Sequence, residues 1–144
     1  MRKIFISSDH AGFKLKEAIK VYLSKKKLTF QDLGPHNNDR VDYPDYAHKV
    51  AKEVSEGKVD FGILLCGSGN GINMSANKHK EIRSALCWKK EIALLARLHN
   101  NANILTMPAR FISYEQAQEI TNIFLTTEFE GGRHQKRVNK IAII

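Results

Sequence analysis

The sequence predicts an α/β protein: a five-stranded parallel sheet with helices on both faces and a helical arm at the C-terminus. Three observations predict it. Apolar runs of strand length alternate along the chain with segments whose apolar residues recur every three to four positions. Clusters of Gly, Pro and Asn punctuate the junctions. No linker, repeat or low-complexity tract divides the 144 residues, so the chain reads as one domain, 1–144.

The elements follow in order. Lys3–Ser8 is the first strand. From Phe13, the residues Leu15, Ala18, Ile19, Tyr22 and Leu23 keep helical spacing. Lys25, Lys26 and Lys27 close that helix, where cations complement its dipole. Residues 28–33 form a second strand, stopped by Gly34-Pro35, and a polar loop runs to Tyr43. Asp42-Tyr43-Pro44 opens a helix with the proline in its first turn; Ala47, Val50, Ala51 and Val54 are its apolar stripe and Gly57 its end. Phe61–Cys66 is the third strand, and Ile72 to Asn77 can open a helix. Residues 82–87 are the fourth strand, followed by a helix over 89–98 that His99-Asn100-Asn101 stops. Residues 102–107 are the fifth strand, ended by Pro108. Ser113 caps a helix reaching Phe124, with Ala117, Ile120 and Phe124 inward. Gly131-Gly132 breaks the chain before a last segment, 133–144, a short helix or an arm. Right-handed crossovers place helices on both faces, and the ligand crevice of such a sheet lies beyond the carboxyl ends of its strands.

Composition bounds the partners. The formal net charge of +8 favours an anionic one: a phosphate ester, a nucleic acid or a membrane surface. No apolar run is long enough to cross a bilayer, and the apolar stretch after Met1-Arg2-Lys3 is too short for a signal peptide, so a cytoplasmic protein is expected. Two cysteines, Cys66 and Cys87, make no secreted disulfide framework and are read as reduced. His36, His48 and His79 are read as surface residues without partners.

The chemistry concentrates in Cys66-Gly67-Ser68-Gly69-Asn70-Gly71, which joins the third strand to a helix start. Glycines let backbone N–H groups turn toward one point, and a helix N-terminus adds partial positive charge there. The result is a cradle for an anion with a thiol at its rim. The loop lacks the Lys-Ser/Thr pair of a nucleoside-triphosphate loop, and its G-x-G-x-G spacing is not that of a dinucleotide fingerprint. No spacing in the chain asks for a metal, Asp9, His10, Asp42 and Asp45 included. Asp9-His10 precedes a helix and serves either as a cap or as part of a site. His99-Asn100 is likewise a helix end or a catalytic pair, and Arg133 and Arg137, four apart, are a basic tail or a phosphate clamp. Together these groups suit proton transfer next to a carbonyl on a phosphorylated compound.

Five blocks, in order and covering nearly the whole chain, resemble ribose-5-phosphate isomerase type B. They are Ser8-Asp9-His10-Ala11-Gly12, Asp42-Tyr43-Pro44-Asp45-Tyr46-Ala47, the loop from Cys66 to Gly71 with Ala76-Asn77-Lys78, His99-Asn100, and Glu130-Gly131-Gly132-Arg133-His134-Gln135-Lys136-Arg137-Val138. The resemblance implies a Rossmann-like three-layer α/β/α domain that interconverts ribose 5-phosphate and ribulose 5-phosphate through a cis-enediolate, in the pentose phosphate pathway, with no metal or organic cofactor. It places Cys66 as the base between C1 and C2, with the amides of Gly67, Ser68, Gly69, Asn70 and Gly71 holding the enediolate oxygen. It makes Ser68 an aid at the ring oxygen or hydroxyls, and His99 the group that opens the furanose. Asp9, His10, Tyr43 and Asn100 would contact the sugar or phosphate, and Arg110, Arg133 and Arg137 the phosphate. The family works as a homodimer or tetramer with sites between subunits, so residues near His99 and on the arm, His134 among them, would come from the partner. An unperturbed thiol is only about 3% ionised at neutral pH, so the loop is expected to lower the pKa of Cys66; Cys87 is expected only to pack.

Two departures accompany the resemblance. Ser68 replaces a frequent threonine, and Pro108-Ala109 precedes Arg110 where glycine is common, which puts the path to Arg110 in question. Asn70 stands where cysteine-lacking relatives carry a catalytic glutamate, so the chain groups with the cysteine type. Six-carbon sugar phosphates (allose or galactose 6-phosphate) are the alternative substrates. A nucleic-acid-binding module is the alternative of another class; it accounts for the charge but not for the thiol loop, and the chain has no aromatic platform for bases.

Overall fold

The computed structural model describes residues 2–143; Met1 and Ile144, the ends of the expected domain and arm, lie outside the described residues. Its elements are β1 (Lys3–Ser8), α1 (Phe13–Lys25), β2 (Thr29–Asp32), α2 (Tyr43–Ser55), β3 (Phe61–Cys66), α3 (Asn70–Ala76), β4 (Ser84–Leu86), α4 (Lys90–Asn100), β5 (Ile104–Pro108), α5 (Tyr114–Thr126) and α6 (Arg133–Val138). The strands form one sheet in the order β2-β1-β3-β5-β4, and every neighbouring pair is parallel. Among the described residues no helix is long and apolar enough to cross a membrane.

Alternation along the strands assigns the two faces. Ile4, Ile6, Ile63, Leu65, Leu105 and Met107 pack with α1, α4 and α5 on one side. Phe5, Leu64, Cys66 and Ile104 pack with α2 and α3 on the other. Successive strand residues point to opposite faces, so a strand covered on both sides reads as continuously apolar. This is why β3 is buried at every position.

Boundaries differ from the sequence expectation where the chain leaves a helix or lies at the sheet edge. The first helix stops at Lys25, because Lys27 takes φ +57° and turns its amide to the Ser24 carbonyl. Leu28 donates to the Leu23 carbonyl in the same turn, so β2 begins only at Thr29. The expected fourth strand over 82–87 shrinks to Ser84–Leu86; Ile82 is held in the turn after α3 by the His79 carbonyl, and Arg83 by the Asn103 side chain. Its helix runs two residues past the expected end, through His99 and Asn100, and closes on Asn101 at φ +47°. Ala102 donates to the Ala96 carbonyl there, so it belongs to the helix end, and β5 spans Ile104–Pro108 with the proline as its last residue. Ser113 caps α5 as expected, in a capping box with Gln116.

A polar anchor lies under the first crossover. Lys16 on α1 is fully buried, and its ammonium donates to both Asp32 oxygens at 2.8 and 2.9 Å and to the Pro35 carbonyl at 2.6 Å. Burial pushes the Asp32 pKa up, but the Lys16 and Lys20 ammonium groups and the Gly34 amide outweigh it and hold the carboxyl below its ordinary range. The anchor ties the end of β2 to α1 and to the turn at Gly34, whose carbonyl accepts from the Ser7 hydroxyl at 2.7 Å and the Ser8 amide at 3.2 Å.

Candidate active site

Four segments meet at the carboxyl edge of the sheet. Cys66 ends β3 and sits opposite Pro108, the last residue of β5. The Asp9 amide donates to the Leu65 carbonyl at 3.1 Å, which brings the end of β1 alongside the thiol segment. Asp9 is buried, and its Oδ1 accepts from the Gly12 amide at 3.0 Å, closing the turn into α1. Its neighbour His10 accepts the Val41 amide at Nδ1, 3.3 Å away. An accepting Nδ1 leaves the ring proton on Nε2.

The glycine loop is pressed between these segments. Gly69 has φ +79°, and a Cβ there would stand 2.4 Å from the Leu86 side chain. A Cβ at Gly71 would stand 2.4 Å from the Tyr43 ring, so Tyr43, the first residue of α2, lies against the loop. On the other side the Ala109 amide donates to the Cys66 carbonyl at 2.9 Å and the Arg110 amide to the Gly67 carbonyl at 3.0 Å. A Cβ at Gly67 would come 3.1 Å from the Arg110 Nη1. Pro108-Ala109 thus carries the Arg110 side chain across the loop. Ser68 and Asn70 are exposed, with the Ser68 hydroxyl accepting the Asn70 amide at 3.2 Å. They border a groove of about 410 Å³ whose other wall is Leu86, Trp88, Pro108 and Phe111.

The electrostatics of Cys66 correct one expectation. Burial pushes its thiol above the ordinary value, and the Asp9 carboxylate adds to the effect. The amides of Ile72, Gly69 and Gly71, turned toward the sulfur, pull the other way, but they do not win in a single chain. The expected net lowering is therefore not met. Cys87 is fully buried, and burial alone pushes it up to about 12. Both cysteines are free thiols.

The remaining expected site residues lie at the opposite edge. Helix α4 runs back across the sheet and delivers His99 and Asn100 beside the start of β5, with three residues between Asn100 and Ile104. Cys66 pairs with the last residue of β5, about 13 Å of strand away. Helix α6 packs on α4 through its buried residues His134 and Val138. The His99 and His134 rings stack with centroids 4.3 Å apart and planes 13° apart. Burial and the charges of His99, Arg133 and Arg137 hold the His134 pKa down against the pull of Glu130. Arg133 and Arg137 are exposed on the same short helix. The structure brings Asp9, His10, Tyr43, Arg110 and the loop from Cys66 to Gly71 together, and groups His99, Asn100, Arg133, His134 and Arg137 separately.

Three features had no local signal in the chain. Glu130, read before only as part of a motif, stands 3.7 Å from His134 Nε2. His48 and His79, expected to be unpartnered, contact each other through Nδ1 and Nε2 at 2.8 Å. Lys16 has the spacing of an ordinary helix cation, and only the fold reveals its burial.

Sheet, thiol and amide cradle define a doubly wound, Rossmann-like α/β enzyme with a candidate site at the carboxyl edge of its strands. A sequence model of the ribose/galactose isomerase family matches residues 4–141, and the chain belongs to that family of isomerases. It is 42% identical to ribose-5-phosphate isomerase B of Escherichia coli over 144 residues, covering 100% of this chain and 97% of the relative. It is 47% identical to a putative sugar phosphate isomerase of Bacillus subtilis over 141 residues, 97% of this chain and 95% of the relative. Among solved structures, a ribose 5-phosphate isomerase of Thermotoga maritima superposes with a TM-score of 0.97 at 50% identity, covering 99% of both chains. Ribose-5-phosphate isomerase B of Mycoplasma genitalium, solved with bound ribulose 5-phosphate, superposes with a TM-score of 0.93 at 45% identity, over 96% of this chain and 93% of that one.

Proposed function

We propose that the protein interconverts ribose 5-phosphate and ribulose 5-phosphate. The observation that carries this reading is Cys66 at the end of β3, with the amides of Ile72, Gly69 and Gly71 turned toward its sulfur. The Mycoplasma relative binds ribulose 5-phosphate on the same fold. Cys66, as thiolate, takes the proton from C2 of the open-chain aldose. The enediolate charge that develops on O1 meets the amides of the glycine loop, which stabilise it as an oxyanion hole does. The thiol returns its proton to C1, the O2 proton passes to O1, and the ketose leaves with Cys66 restored. Asp9, His10 and Tyr43 orient the sugar, Ser68 and Asn70 contact its hydroxyls, and Arg110 holds the phosphate.

One chain does not complete this site. His99, which opens the ring, and Asn100, Arg133, His134 and Arg137 lie beside the start of β5, whereas Cys66 lies beside its end. A second copy that sets its α4–α6 end against the first copy's glycine loop supplies them. The working unit is therefore a homodimer or a multiple of one.

The direct test is turnover of ribose 5-phosphate, with allose 6-phosphate and galactose 6-phosphate assayed in parallel. Ribose 5-phosphate is expected to react fastest. Preference for a six-carbon substrate would replace the substrate while keeping the chemistry. Exhaustive EDTA treatment is expected to leave turnover intact, because a base and an amide cradle suffice for enediolate chemistry.

A further inference from the structure

We infer that His99, Glu130 and His134 form a reversible binding site for a divalent transition-metal ion, with Zn²⁺ as the best fit, and that occupation of this site blocks the isomerase. One ligand atom from each of the three residues lies within 4.8 Å of the other two. The residues come from the end of α4, the loop before Gly131 and the first turn of α6, so no local spacing announces them. His134 is 5% exposed, and its Nε2 is buried without a hydrogen-bond partner. A buried imidazole nitrogen normally finds one. It faces the Glu130 carboxylate at 3.7 Å, beyond hydrogen-bond reach and on the scale of two ligands sharing one ion.

The donor set selects the metal. Two imidazoles and a carboxylate suit Zn²⁺ and its neighbours, and are poor for Mg²⁺ and Ca²⁺, which take oxygen ligands. Tetrahedral coordination with metal–nitrogen bonds of about 2.0–2.1 Å places ligand atoms about 3.3 Å apart. The exposed Glu130 side chain and the half-buried His99 ring close the difference by rotating, and His99 must turn out of the stack, because the in-plane lone pairs of two parallel rings do not converge on one ion. A fourth position stays open to water. Arg133 and Arg137 lie on the same helix as His134, and their charge opposes a dication. That repulsion weakens binding, and the ion exchanges.

Blockade rests on the reading that His99 serves the sugar site of a second copy. Metal binding occupies the lone pair with which His99 would take up a proton during ring opening. Zn²⁺ should therefore lower kcat for ribose 5-phosphate, and EDTA should restore it.

Binding and blockade are measured separately, on untagged full-length protein. Titration calorimetry with Zn²⁺ is expected to give one site per chain, weakened at least tenfold by Glu130→Gln, which keeps the size of the exposed side chain and removes the charged ligand. His79→Gln removes the other close imidazole pair and Cys66→Ala the catalytic thiol; both are expected to leave the isotherm unchanged. Co²⁺ is expected to show tetrahedral visible bands with no thiolate charge-transfer band. No binding, an isotherm indifferent to Glu130→Gln, or one lost in His79→Gln or Cys66→Ala overturns the site. Zn²⁺ binding that leaves ribose 5-phosphate turnover unchanged overturns the blockade. A protein that never turns over ribose 5-phosphate overturns the functional reading and leaves the calorimetric result standing by itself.

Discussion

His99 and His134 stack with ring centroids 4.3 Å apart at the edge where β5 begins, while Cys66 pairs with the residue that ends the same strand. The two halves of the expected chemistry therefore face away from each other across the sheet. The geometry separates contributions within a site from contributions between subunits, and the first prediction uses that separation.

Cys66→Ala and Arg137→Ala homo-oligomers are each expected to be nearly inactive: the first lacks the base, the second a phosphate contact worth roughly 1.5–3 kcal/mol as a charged hydrogen bond. When the two variants are dissociated, mixed and reassembled, hybrid dimers are expected to regain one intact site and up to about half the wild-type activity per hybrid. Hybrids demonstrated by native mass spectrometry that stay inactive would place the arm at its own subunit's site.

The two cysteines should behave differently. Cys66→Ala is expected to abolish solvent-deuterium incorporation into the sugar, a loss of about 10²–10⁴-fold or more. Cys87→Ala should keep most activity. Because burial and Asp9 raise the Cys66 pKa, the thiolate fraction grows with pH well past neutrality. Iodoacetamide modification of Cys66 and kcat/KM should both rise through the alkaline range. A plateau below the ordinary thiol pKa of about 8.5 would mean that subunit assembly reverses the single-chain balance.

Two glycines near the site constrain different things. A Cβ at Gly12 would lie 2.4 Å from the Leu65 carbonyl oxygen, which is backbone of the central strand. Gly12→Ala is expected to destabilise the fold by about 1–3 kcal/mol, read as a lower Tm. At Gly71 the obstacle is the Tyr43 ring, which can move. Gly71→Ala is expected to keep or slightly raise Tm, since alanine favours α3 by up to about 1 kcal/mol over glycine. It should lower turnover by displacing Tyr43.

The buried anchor should show in acid stability. Lys16→Met leaves the buried Asp32 carboxylate with Lys20 and the Gly34 amide and is expected to cost about 3 kcal/mol in denaturant unfolding at neutral pH. The depressed pKa of Asp32 contributes stability above the unfolded carboxylate range, near pH 4, and that contribution disappears as pH falls through the folded value. Asp32→Asn should therefore flatten the acid limb of the stability profile as well as lower its plateau. An unchanged acid limb would remove the pair from that role.

Much of the fold was legible in the chain because its signals are local. A six-residue apolar run at 61–66 can be buried on two faces only as a strand, and Ser113 announces the cap of the helix that follows it. Glycine density after Cys66 likewise marked the loop that turns its amides on the sulfur. Boundaries failed where a competing turn decided them, as at Ala102, claimed by the end of α4. Other properties depend on residues far apart in sequence. Lys16 looks like any helix lysine until β2 brings Asp32 over it, and Cys66 looks activated until burial and Asp9 are counted. Glu130 is one residue of a motif until α6 folds back on α4 and sets His134 and His99 beside it. Periodicity and turn chemistry are written in neighbouring residues, so the sequence by itself determined the elements, their order and the loop that carries the thiol. Desolvation, ion pairing and the meeting of side chains need distances, and those came only from how the sheet and its helices pack.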